Sequence, residues 1–160
     1  KLAREVLGLS ELQRGGYLGL MALTLILGGV SALLLGKYLH HGAAIFVGTM
    51  TASLLFASLS QWSSAAVSAT ALGAMGLLGG MVISFIIAGI QGQAPEALRG
   101  RIMSIYSIIS QVVPAASGVA AGALVRATGV TQAILYAGVG LAGLALLAAA
   151  LMPQLRRVAR

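Results

Sequence analysis

Residues 43–90 read AAIFVGTMTASLLFASLSQWSSAAVSATALGAMGLLGGMVISFIIAGI, without a single Asp, Glu, Lys, Arg or His. A membrane span needs about 20 apolar residues, each rising about 1.5 Å, to cross a hydrocarbon core of about 30 Å. The stretch is too long for one span and suits two, about 43–60 and 65–90. The polar turn Gln61-Trp62-Ser63-Ser64 joins them, and Trp62 falls where an amphipathic ring favours the water boundary.

Working outward, the runs 15–36, 102–125 and 132–152 each fit one further span. Only 8% of the 160 residues are charged and 59% are hydrophobic, whereas about a quarter of a soluble domain is charged. The mean hydropathy of +0.99 points the same way. The expected fold is an all-α membrane protein with five transmembrane helices, preceded by a polar or interfacial leader at 1–14 and followed by a basic tail at 153–160. An odd number of spans puts the two chain ends on opposite sides of the bilayer. The polar first residues are no signal peptide, and the chain reads as a piece of something longer.

The cations sit between the apolar runs. Lys37, Arg99, Arg101, Arg156, Arg157 and Arg160 fall on one side; Arg126, Lys1, Arg4 and Arg14 fall on the other. Discounting the leader, the positive-inside rule makes the first side, and with it the carboxy-terminus, cytoplasmic. The net charge of +7 is spread singly or in pairs, unlike a nucleic-acid-binding stripe, so no nucleic-acid partner is expected. The expected surroundings are a lipid bilayer.

Chemistry-bearing groups are sparse. The chain has no Cys, hence no disulfide or thiolate site. His40 and His41 are neighbours in a turn with no acidic ligand beside them, which favours a loop over a metal site. No ionisable group lies deep in a span, no G-x-S-x-G elbow occurs, and no glycine run follows a strand. The expectation is no enzyme, no metal and no cofactor. The candidates for contact with a small-molecule substrate are neutral: Thr49, Thr51 and Ser53 on the second span, Ser84 on the third, and Ser107, Ser110 and Gln111 on the fourth. Most of these are expected to bond to their own helix backbone.

Many of the 22 glycines lie mid-span, among them Gly28, Gly29, Gly73, Gly76, Gly79, Gly80, Gly118, Gly122, Gly138, Gly140 and Gly143. Helices in lipid associate through close packing, so small residues mark contact faces. Gly118 and Gly122, with Ala115 and Ala121, form such a face on the fourth span. Gly15 and Gly19 repeat the spacing on the first. Pro114 removes a backbone hydrogen bond mid-span and is expected to kink the helix, either as a static bend or as a hinge.

The link 91–101 and the span after it carry a motif. Gln93, Pro95, Arg99, Gly100, Arg101 and Ser104 spell Q-x-P-x-x-x-R-G-R-x-x-S, followed by Pro114, Gly118, Gly122 and Gly129. This resembles the cytoplasmic loop between helices ten and eleven of the major facilitator superfamily, with helix eleven after it. The resemblance is to the bacterial drug and siderophore exporter branch, which includes the enterobactin-exporter-like proteins. It implies that the five spans match helices eight to twelve of a twelve-helix fold, with the amino-terminal half of the same transporter as partner. It further implies an efflux permease in the bacterial inner membrane that works by alternating access. Arg99 and Arg101 would then be topology anchors or gate contacts. The loop between helices eight and nine departs from that family's Asp-Arg signature, reading Gly36-Lys37-Tyr38-Leu39-His40-His41. A small membrane scaffold that packs through its glycine faces is the alternative.

Overall fold

The computed structural model describes residues 10–62 and 64–151. The leader's first nine residues, Ser63 and the basic tail, with Arg156, Arg157 and Arg160, lie outside the described residues. Five helices follow in order: α1 (Glu11–Leu35), α2 (His41–Ser58), α3 (Ala65–Gln93), α4 (Glu96–Thr128) and α5 (Val130–Leu151). All five are long and apolar enough to cross a membrane.

The ends of the helices follow local chemistry. Ser10 opens α1 as a capping box: its hydroxyl accepts from the Gln13 amide, and the Gln13 side chain accepts from the Ser10 amide at 2.9 Å. A 3-10 turn at Leu59–Gln61 closes α2. The link expected at 91–101 is far shorter than its polarity suggested. α3 runs on to Gln93, only Ala94 and Pro95 are extended, and α4 begins at Glu96. Pro95 forces Ala94 out of helical geometry, and its own carbonyl then accepts from the amides of Leu98 and Arg99 at 2.9 and 3.0 Å. Glu96 adds an acid to the first turn, where the helix dipole favours one. The fourth span is therefore longer at both ends than 102–125. The corner into α5 shrinks to Gly129, whose φ of 83° no side-chain-bearing residue adopts readily. Its amide closes α4 on the Val125 carbonyl and its carbonyl accepts from Ala133.

Four helices stand in a row in the spatial order α1, α3, α2, α5; α4 touches α5 and α3. The buried set consists mainly of small residues: Ala32, Ser53, Ala57, Ser68, Ala71, Ala133, Ala142 and Ala149, with Leu59, Phe85 and Ile134 among the few large ones. The large aliphatic residues face outward, with Leu33 80% and Val119 73% exposed. A protein folded in water inverts this arrangement; a protein solvated by lipid has no reason to. One apolar cluster, Leu59, Ala71 and Ile134, ties α2, α3 and α5 together, and Trp62 packs against it, half-buried.

Candidate functional site

Glycine decides where the helices meet most closely. A Cβ built on Gly28 of α1 would overlap the Leu77 backbone, with the carbonyl carbon 2.8 Å away. One built on Gly80 of α3 would overlap the Leu25 carbonyl and lie 2.9 Å from the Gly29 amide nitrogen. Gly76 faces Thr24 and the Met21 carbonyl, the latter at 2.8 Å. The α1–α3 seam is thus backbone against backbone, which only glycine permits. Thr24 fits there because its hydroxyl donates back to the carbonyls of Leu20 (2.9 Å) and Met21 (3.1 Å). Tyr17 ties the start of the seam by donating to the Ala65 carbonyl. Gly138 of α5 makes a second close approach, where a Cβ would stand 2.6 Å from the Ala57 amide nitrogen, and Gly48 a third, against the Val82 side chain.

The substrate-contact candidates scatter. Ser84 lies in the α1–α3 seam, its hydroxyl 3.3 Å from where a Cβ of Gly29 would stand. Ser53 is buried and donates to the Thr49 carbonyl at 2.8 Å. Thr51 is exposed on α2. On α4, Ser110 donates to the Ser107 carbonyl at 2.9 Å and the Gln111 amide reaches the same oxygen at 3.4 Å. Ser107, Ser110 and Gln111 all remain exposed.

The small-residue faces divide in two. Gly118 and Gly122, expected to pack, have nothing within 4 Å of a notional Cβ, and the same holds for Gly15, Gly19, Gly79, Gly140 and Gly143. No residue of α4 is buried. Its contacts lie near its two ends, where Ile102, Met103 and Tyr106, then Gly122, Leu124, Val125 and Thr128, are half-buried; every residue from Ser107 to Ala121 is exposed. The helix runs unbroken through Pro114, whose carbonyl accepts from Ser117 at 3.0 Å.

The exposed stretch has two unlike sides. At about 100° per residue, Ser104, Ser107, Gln111, Pro114, Gly118 and Gly122 fall on one side of α4, flanked by Ser110 and Ser117. Ile105, Ile108, Ile109, Val112, Val113 and Val119 fall on the other. Taking the polar residues one at a time misses this stripe. The signal was present in the spacing of Ser104, Ser107 and Gln111, at i, i+3 and i+7.

The loop motif sits at a helix junction. Gln93 ends α3, Pro95 precedes α4, and Arg99, Gly100 and Arg101 occupy its first two turns, all exposed. Ser104 donates to the Gly100 carbonyl at 3.0 Å. Beside this junction lies a cavity of about 620 Å³ between α2, α3, α4 and α5. Ile45, Phe46, Ile86 and Ile90 give it an apolar wall; His41, Thr49 and Gln93 are its polar members. His41 opens α2, its ring tilted against Phe85 with centroids 5.0 Å apart. Thr49 is thus the one substrate-contact candidate that lines this cavity. No family model, curated protein or solved structure matches the chain.

Proposed function

We propose that these five helices belong to a secondary-active transporter of the major facilitator type, in the places of its helices eight to twelve, and that it exports a small organic molecule. The observation that carries the reading is α4: its polar and small side is open along the whole middle of the helix. Ser104, Ser110 and Ser117 bond within their own helix, but lipid solvates Ile and Val well and gives the Gln111 side-chain oxygen no partner, so a stripe of this kind belongs on a water-filled path or against another helix. An amino-terminal half set opposite α4 provides both, and alternating access rocks the two halves about that path. The Q-x-P-x-x-x-R-G-R-x-x-S sequence at the α3–α4 junction supports the same placement. The reading carries with it a bacterial inner-membrane location, a cytoplasmic carboxy-terminus and no catalysis of a covalent step.

The 160 residues contain no Cys, so once any cysteine elsewhere in the complete protein is replaced, single cysteines placed along α4 report on a clean background. In cells making the complete protein, an impermeant maleimide is expected to label cysteines at Ser107, Gln111 and Gly118 but not at Ile109 or Val112. Gln111→Leu is expected to remove resistance to exported compounds in an efflux-deficient bacterial strain. If the polar side stays unlabelled while the protein is present at the membrane, α4 is sealed against a partner and the scaffold reading takes over.

A further inference from the structure

The helices cross alternately, so the end of α1, the start of α2, the end of α3, the start of α4 and the end of α5 share one membrane face. The 620 Å³ cavity lies toward this end of the helices. Two helix N-termini border it: α2 through His41 and Gly42, and α4 through Ala94 and Pro95. Each N-terminus presents unpaired amides and the positive end of a helix dipole. Arg99 lies one turn beyond Pro95 and one turn before Ile102, and both of those residues line the cavity. Among the described residues, this face carries Lys37, Arg99 and Arg101 against one acid, Glu96. The inner wall is almost wholly apolar: Ile45, Phe46, Phe85, Ile86, Ile90 and the alanines of α5.

A greasy slot with Arg99 beside it, at the depth where hydrocarbon gives way to headgroups, has the polarity of a phospholipid. We infer that the cavity seats an acyl chain of an anionic phospholipid, with its phosphate at the two helix N-termini beside His41 and Arg99. The apolar wall takes the chain, which would otherwise leave the cavity empty or wet. Arg99 selects anionic over zwitterionic headgroups, since a cation at a membrane surface adds a few-fold preference. The site is independent of transport, and lipid binding is read without any flux.

The test uses the purified protein in phosphatidylcholine nanodiscs, with phosphatidylglycerol or phosphatidylcholine bearing a photoactivatable acyl chain as probe. Peptide mapping is expected to place the phosphatidylglycerol adducts on the α2 and α3 walls, around Phe46, Ile86 and Ile90. These adducts should exceed those of the phosphatidylcholine probe about five-fold, and Arg99→Gln should remove most of the difference. Gly89→Phe should abolish labelling at these sites by either probe. Gly89 lines the cavity with nothing within 4 Å of a notional Cβ, so a side chain can start there without striking backbone and direct a ring into the slot. Labelling of the lipid-exposed Leu33 region should be unchanged in both variants, which controls for folding. Equal labelling by the two probes overturns the anionic headgroup. Wall labelling that survives Gly89→Phe overturns the seated chain. Competition by soluble glycerol phosphate as effective as that by unlabelled phosphatidylglycerol would assign the site to a free phosphate instead.

Discussion

The α1–α3 seam and the middle of α4 use the same small residues to opposite effect. At Gly28 and Gly80 the missing side chain is filled by the backbone of the facing helix, and at Gly76 by the Thr24 side chain and the Met21 carbonyl. At Gly118 and Gly122 the space stays open. A glycine four residues from another is therefore no measure of packing; the facing helix decides. Where the chain supplies that helix the seam is closed, and where it does not, a polar and small surface is left bare. A bare surface of this composition in a membrane-length helix is what the transporter proposal explains.

The contrast can be broken most directly at Gly80. Gly80→Leu forces a branched side chain into the α1 backbone, and we expect a loss of about 3 kcal/mol or more in reversible SDS unfolding from mixed micelles. Retention of wild-type stability would show that the two helices are not in backbone contact. A milder version is Gly138→Ala, which meets the Ala57 backbone and is expected to cost about 1–3 kcal/mol in the same titration. The substitution Gly118→Ala should run the other way. With no neighbour to strike, it gains up to about 1 kcal/mol from helix propensity. A loss matching that at Gly138 would mean that α4 already packs on its small side.

Ser68 sharpens the comparison from inside the packed region. It is fully buried and its hydroxyl has no hydrogen-bond partner, so Ser68→Ala should stabilise the bundle by about 1 kcal/mol. The smallest effect belongs to Thr24→Val. The Thr24 hydroxyl bonds only within its own helix, and the shape is kept, so a change within about 0.6 kcal/mol is expected. A larger loss would reveal a bond across the seam to α3.

Much of the fold was legible beforehand because hydropathy responds to lipid without regard to tertiary contacts. The five spans at 15–36, 43–60, 65–90, 102–125 and 132–152 correspond one for one to the five helices. The links were less legible. Residues 91–101 carry Gln, Glu and Arg, yet most of them are helical, because polar residues past the membrane boundary can extend a helix into water as readily as end it. At the last two corners Pro95 and Gly129 carry the local signals that turn the chain.

The site was read least well. Thr49, Ser84 and Gln111 look alike as polar residues in apolar spans. The structure puts the first in a cavity wall, the second in a closed seam and the third on open surface. A helix presents every side chain on some face, and the chain's composition does not say which face a neighbour covers.

By itself, the sequence determined the solvent, the number of crossings and the turns at Pro95 and Gly129, since each depends on local polarity or on one residue's backbone freedom. Tertiary structure alone decided the order α1, α3, α2, α5, which glycines are filled, and that α4 stands bare along its middle. Those outcomes depend on which surfaces come within van der Waals reach of one another, a property of pairs of helices that no single helix carries.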